Sequence, residues 1–293
     1  MKKLIAFLIS LLFVGSTLGV ASVFSANFNI ESKDFIFTDF STNDGIIVDG
    51  RSNDNTLTDA YDGAFRLYID DDIYNPSAGD YTTEAGGREY VLGKETMSGL
   101  SVYRKVYFPE DRNWVRYLEI LHNPTASPIS VDVRIYSNFG SGGETRVVMT
   151  SSGDKIADTS DYWAVSDDQL GGNPKSRPSL SHVWDGPGGS DRIDSLWEFS
   201  DGSGYINYRW ENVAVNPGQT VVLMHFGGLA FNNDQAISLA EDLYNYKDEK
   251  MKYDLQEINQ IINWSPSRLG KERNKPSLPI AQILKILKNN QID

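Results

Sequence analysis

Between Phe35 and Phe226 the chain alternates short β-forming runs with clusters of Gly, Asn, Asp, Ser and Pro. Ile129-Ser130-Val131-Asp132-Val133-Arg134-Ile135 sets apolar and polar residues strictly in turn, which gives a strand one dry face and one wet one. Tyr205 to Trp210 alternates too, with Ile206, Tyr208 and Trp210 on one side. Leu100 to Phe108 and Trp114 to His122 are apolar on both faces in places, as central strands covered by further layers would be. Pro109 to Asn113 reads as the hairpin loop between them. Asn216-Pro217-Gly218-Gln219 fits a type II turn, with Pro presetting φ and Gly at the positive-φ position, ahead of a closing strand from Thr220 to Phe226. Roughly a dozen short strands joined by turns predict an all-β fold, a large antiparallel β-sandwich.

At Asn232 the period becomes helical. Asn232-Asn233-Asp234 offers N-cap chemistry, and Ala236, Ile237, Leu239, Ala240, Leu243 and Tyr244 recur on one face. A second helical stretch is expected through Met251, Leu255, Ile258, Ile261 and Ile262, broken by Ser265-Pro266-Ser267 and Gly270. After a polar, basic linker from Lys271 to Lys275, a short amphipathic helix starts at Ser277-Leu278-Pro279 and carries Ile280, Ile283, Leu284, Ile286 and Leu287. The reading is a short C-terminal α-helical tail packed on the sandwich, with docking on a partner or a membrane surface as the alternative.

The N-terminus adds a compartment. Met1-Lys2-Lys3 is a basic start, Leu4 to Val14 an apolar run, and Gly15-Ser16-Thr17 interrupts it before two small-residue cleavage points, ahead of Ser22 or of Ala26. That layout is a secretory signal, with an uncleaved anchor as the alternative and the only membrane contact expected. The chain therefore divides into a signal peptide at 1–25, a β-sandwich domain at 26–231 and a helical C-terminal segment at 232–293. Its place is extracellular, periplasmic or in the cell envelope. Losing Lys2 and Lys3 takes the formal net charge from -13 to -15. Such an acidic protein repels phosphate backbones, which argues against nucleic-acid partners. With no cysteine there is no disulfide, thiol nucleophile, thiolate metal site or lipidated N-terminal Cys.

Candidate chemistry is thin. His122, His182 and His225 show no metal-ligand spacing, no serine sits in a GxSxG elbow, and the Gly-rich pieces lack the context of a phosphate loop. Carboxylates such as Asp161, Asp167-Asp168 and Glu198 are numerous, and a glycosidase needs only two, but sequence does not pair them. Acid-rich turns point to calcium as the one cofactor to consider: Asp54, Asp59 and Asp62 in the stretch beginning at Asp49, and Asp70-Asp71-Asp72. Neither matches an EF-hand loop. The aromatic content of 12% matters more, because sugar rings stack on indole and phenol faces while their hydroxyls pair with Asp, Asn and Arg. Trp163 beside Asp167, Trp184 beside His182 and the Gly186-Pro187-Gly188-Gly189 loop, and Tyr205 are the expected ligand-binding residues.

Several segments, in order, resemble a poorly characterised β-sandwich module of large secreted bacterial proteins, often found beside immunoglobulin-like domains. They are Tyr61-Asp62-Gly63-Ala64-Phe65, Ser98 to Val106, Tyr117 to Thr125, Thr150 to Asp154, Trp163 to Asp168, His182-Val183-Trp184 and Pro217 to Thr220. The resemblance spans about residues 40 to 245 and implies a bacterial binding or structural module, with no catalytic residue carried over. The chain has a helical tail where the module's usual setting has immunoglobulin-like or catalytic regions. The leading expectation is thus a secreted, non-enzymatic sandwich that binds a glycan or a cell-surface component. A carbohydrate-active enzyme using a carboxylate pair or His182, and an envelope assembly subunit, are the alternatives.

Overall fold

The computed structural model describes residues 27–77, 80–168 and 176–269. The signal sequence, Gly270, the basic linker and the last amphipathic helix lie outside the described residues. What is described is an all-β sandwich with helical additions near the C-terminal end. Its large sheet has nine strands. In spatial order these are Arg146–Thr150, Trp163–Asp167, Ser179–Val183, Thr220–Ala230, Trp114–His122, Leu100–Tyr107, Glu89–Leu92 and Tyr81–Glu84, with Glu95–Met97 paired to one end of Leu100–Tyr107. A five-stranded sheet runs Ser195–Trp197, Tyr205–Val215, Ile129–Asn138, Arg66–Ile69, Asp72–Ile73. A three-stranded sheet is made by Asn27–Glu31, Phe35–Ser41 and Asp49–Ser52. All the strand pairings are antiparallel.

The doubly apolar central strands have a structural cause. Val115, Tyr117 and Leu121 face the two smaller sheets, packing with Val133, Ile135, Leu67, Phe37 and Trp210. Trp114, Leu118 and Ile120 point the other way, into a second core with Ala236, Ala240, Leu243, Met251, Ile261 and Trp264. The large sheet is thus the middle of three layers, and a strand in that position needs both phases apolar. The anticipated turn closes as expected: Gly218 has φ 71° and Gln219 N–H donates to the Asn216 carbonyl at 3.0 Å.

The helix Asn233–Tyr244 starts where its cap predicts, the Asn232 side chain accepting from the Gln235 N–H at 3.0 Å. It crosses the large sheet over Gly227 and Gly228. A Cβ on Gly228 would lie 2.4 Å from Leu239, and one on Gly227 would lie 2.1 Å from Phe65 on the opposite face. Two glycines therefore let the middle sheet be approached closely from both sides.

The second expected helix does not form. Within Met251 to Ile262 the only regular element is the 3-10 turn Glu249–Lys252, and the rest is a strap. The strand Thr220–Ala230 meets Ser179–Val183 only from Phe226 onward, which leaves an open edge beside Val222. The strap takes it: Val222 N–H donates to Gln260 at 2.9 Å and Ile262 N–H to Val222 at 3.1 Å, a parallel bridge. Asn263 then continues the ladder with its side chain, accepting from Met224 N–H and donating to the Met224 carbonyl, both at 2.9 Å. Open sheet edge thus outcompetes an amphipathic period. Instead of ending a helix, Pro266 begins the short turn of helix Pro266–Leu269.

Candidate functional site

The outer face of the five-stranded sheet brings several partly exposed aromatic and charged side chains together. Alternation puts Val131, Val133 and Ile135 inward, so Asp132, Arg134 and Tyr136 point out. Ile206, Tyr208 and Trp210 point inward as their period predicts, leaving Tyr205, Asn207 and Arg209 on the outside. Pairing then aligns them in rows. One row runs Ser195, Arg209, Arg134, Tyr68, Ile73; the next runs Trp197, Asn207, Tyr136, Arg66; Tyr205 opposite Asn138 follows.

Ring and guanidinium planes tile this face. Tyr136 and Tyr205 stack with centroids 5.8 Å apart and planes 25° from parallel. The Arg134 guanidinium lies 3.7 Å over the Tyr68 ring and that of Arg209 5.6 Å over Trp197. Tyr205 is 38% exposed. Arg134 also donates to Asn207 Oδ1 at 3.1 Å, and the Asn207 amide donates to Glu198.

Arg134 and Arg209 stand directly opposite one another and would repel without a counterion. The hairpin turn between Ile69 and Asp72 provides it. Asp70 (φ 49°) and Asp71 (φ 67°) both take left-handed backbone, as a two-residue type I′ turn requires. Asp70 fixes the turn by accepting from Asp132 N–H at 2.8 Å and Ser98 Oγ at 2.6 Å. Asp71 Oδ1 receives Arg209 at 2.6 Å and lies 3.3 Å from Arg134 Nε. Within the acidic triplet that pointed to calcium, Asp71 is thus neutralised by guanidinium and Asp70 is used to fix the turn.

The other expected site residues lie elsewhere. Trp184 is fully buried, its Nε1 donating to the Asp161 carbonyl at 2.9 Å, and Trp163 is buried in the core under the helix. His182 is enclosed against Phe139 at 4.6 Å, with Ser166 Oγ 3.0 Å from its Nε2, and burial pushes its pKa down to about 3. None of these three presents a face to a sugar, and His182 is unsuited to acid–base work. The glycine-rich loop beside them is a packing groove: a Cβ on Gly186 would fall 2.0 Å from Trp264. Asp167 lines a shallow cleft with room for little more than a water molecule, beside Ser166, Asp168 and Arg177, and accepts from Asp168 N–H at 2.8 Å and Ser179 Oγ at 3.2 Å. Of the five expected ligand residues, only Tyr205 belongs to the aromatic face.

Two of the three expected metal ligands are engaged otherwise. Asp54 Oδ1 accepts from Ser52 Oγ, Thr56 N–H and Thr56 Oγ1, and Asp59 pairs with Arg177 at 2.9 Å, while Asp62 is exposed. Among the described residues no group of three or more His, Asp or Glu could hold a metal ion.

A second polar constellation lies between the sheets. Glu119 accepts from Arg104 Nε at 2.8 Å and NH2 at 2.6 Å, and its Oε1 lies 2.8 Å from His225 Nε2. His225 Nδ1 meets the Tyr208 hydroxyl at 3.0 Å, and the third arm of Arg104 donates to the Asp44 carbonyl at 2.6 Å. Burial alone would raise the Glu119 carboxyl, but Arg104 and His225 outweigh it and hold it below the usual range. Burial lowers His225, with Glu119 opposing. Glu119, Arg104 and His225 are all fully buried, so this acid and imidazole meet no solute. Parity was the available signal: Glu119 shares the phase of Val115, Tyr117 and Leu121, and Arg104 that of Leu100, Val102 and Val106.

No family model matches this chain, and no curated protein matches it. Solved structures similar to it include a polysaccharide lyase at 12% identity and TM-score 0.45, over 74% of this chain and 35% of the lyase. Another is described as an aldose 1-epimerase from Klebsiella pneumoniae, at 12% identity and TM-score 0.44, over 79% of this chain and 84% of that one. A galactose mutarotase-like protein from Lactobacillus casei is 10% identical with TM-score 0.45, over 70% of this chain and all of its own. The chain spans about a third of the lyase's length.

Proposed function

We propose that this protein is an exported, non-enzymatic sandwich that holds a glycan on the outer face of its five-stranded sheet. The observation that carries the reading is the tiling of Trp197, Tyr68, Tyr136 and Tyr205 with guanidinium, amide and carboxylate groups on one open sheet face. Rings give flat apolar area for the C–H faces of sugars, while Asp132, Glu198 and Asn138 offer hydrogen-bond partners to hydroxyls between them. A flat face suits an extended polymer better than a small molecule, which binds in a concavity that buries most of its surface. Export rests on the basic and apolar N-terminal pattern.

The test is a glycan array probed with the purified protein, with and without calcium, followed by titration of the best binder. Tyr205→Ala combined with Trp197→Ala is expected to weaken binding at least about tenfold, given what ring contacts contribute, without changing the melting temperature. If the wild-type protein retains no glycan, or the double variant binds as tightly as wild type, the reading fails.

A further inference from the structure

Among the described residues, every charged group on the aromatic face has a partner except one. Arg209 is held by Asp71 and Asp132, and Arg134 by Asp71 and the Asn207 amide. Arg66, next to Tyr136 in its row, has neither: no carboxylate among the described residues forms an ion pair with it, and its Nε, like those of Arg134 and Arg209, is buried with no hydrogen-bond partner. In a chain with 40 acidic and 27 basic residues this is the reverse of expectation, since counterions are abundant. The guanidinium also lies close against the backbone of the preceding loop. Gly63, at φ 95°, passes so close beneath it that a Cβ there would sit 2.8 Å from Arg66 NH2. Asn138, which pairs with the same Gly63 segment, fixes that loop through the Asp62 N–H at 3.2 Å. A half-buried cation with no counterion, beside a tyrosine ring, is an anion receptor in waiting.

Resting on the glycan-binding reading, we infer that the bound polymer is acidic, and that Arg66 receives the carboxylate of a uronate unit, or a sulfate ester, while Tyr136 and Tyr205 carry the neighbouring ring. A planar guanidinium fork matches a carboxylate with two parallel hydrogen bonds, a match that an ammonium does not reproduce. The protein's overall negative charge does not forbid this. At physiological salt charges beyond roughly 8 Å are largely screened, so local contact decides affinity while the global field slows encounter. Arg66 thus sets specificity, and the rings set most of the contact area.

The decisive experiment titrates the purified protein with three sets of oligosaccharides: oligogalacturonates, the same oligomers with carboxyls reduced to alcohols, and sulfated galactan oligomers. Wild type is expected to prefer an anionic form over the reduced one by about tenfold or more, as charge-assisted bonds to a positioned arginine do. Arg66→Met should erase that preference, and Arg66→Lys should restore only part of it, with unchanged melting temperatures for both. Whether the carboxylated or the sulfated set leads identifies the anion. Equal binding of reduced and anionic oligomers, or a preference that survives Arg66→Met, overturns the inference and leaves the platform intact. Failure of all three sets, together with an array on which only other sugars bind, also overturns it. An array with no binder at all removes the platform reading itself.

Discussion

Two clusters in this protein are built from the same parts, and they behave as opposites. Between the sheets, Arg104 grips Glu119 and lies 4.7 Å over the Tyr117 ring; on the outer face, Arg134 approaches Asp71 and lies 3.7 Å over the Tyr68 ring. The inner ion pair is 0%/0% exposed, the outer 17%/64%. Inside, each arm of the guanidinium is satisfied and the carboxylate is saturated by arginine and histidine. Outside, ion pairs are partial, rings are half open, and one arginine is left unpaired. The difference teaches that residue inventory does not mark a site. The Arg104–Glu119 arrangement is complete because unpaired charge is costly where it is buried, and completeness leaves nothing for a ligand.

The sharpest test of that contrast is Glu119→Gln. It removes the countercharge and leaves Arg104 charged in the core, a change that costs about 3–5 kcal/mol in comparable buried pairs. Urea melts should show a large loss of stability, and if the protein remains folded its glycan affinity should be unchanged. A cost below about 1 kcal/mol, the range of exposed pairs, would erase the distinction between the two clusters.

A second test follows the buried imidazoles, which resist protonation only if the interior is as closed as it looks. An unfolded histidine takes its proton near 6.5, whereas folded His182 resists until about 3. Its contribution to stability is therefore whole above pH 6.5 and is lost as pH falls through that window; His225, also lowered, acts in the same direction. Asp185 works against them. Burial pushes its pKa up to about 7 although it accepts hydrogen bonds from Ile193 N–H, Trp210 and Asn263. Its contribution is full below the usual 3.8 and is lost as pH rises through 7. His182→Leu should flatten the acid limb of the stability profile by up to roughly 1.4 kcal/mol per pH unit, measured by denaturant melts from pH 7 to 3. An unaltered slope would mean that His182 is protonated in the folded protein.

The sandwich was legible because alternation along Ile129 to Ile135 and Tyr205 to Trp210 reports directly which side is dry, and doubly apolar central strands report a middle layer. The platform was legible only strand by strand. Arg66, Tyr136, Trp197 and Tyr205 come from four separate stretches, and pairing order, which alternation does not encode, brings them together. Trp163 and Trp184 misled for a physical reason. The acids and glycines around them looked like an exposed loop, yet Gly186 is small to admit Trp264, and Asp161 turns its carbonyl to the Trp184 indole. The strap misled because its spacing suits a helix, while the open edge at Val222 offered backbone partners that the spacing does not reveal.

The smallest expected effect is also the most discriminating. Asp71→Asn keeps the size of the side chain on a residue that is 64% exposed, in a turn whose left-handed backbone asparagine tolerates well. It deletes the charge shared by Arg134 and Arg209, yet solvent can take over that role, so the stability change should stay within about 1 kcal/mol. Salt should shrink it further, because what remains is mutual repulsion of two solvated guanidinia. The same substitution leaves the outer face with two unneutralised arginines instead of one, since Arg209 keeps Asp132 at 3.3 Å, so affinity for acidic oligomers should rise modestly while affinity for carboxyl-reduced ones stays put. The interior admits no such trade, since Glu119→Gln frees an arginine that nothing can reach. A loss of stability at Asp71 comparable to that at Glu119 would show that the outer ion pairs hold the sheet together, and would turn the proposed binding face into ordinary structure.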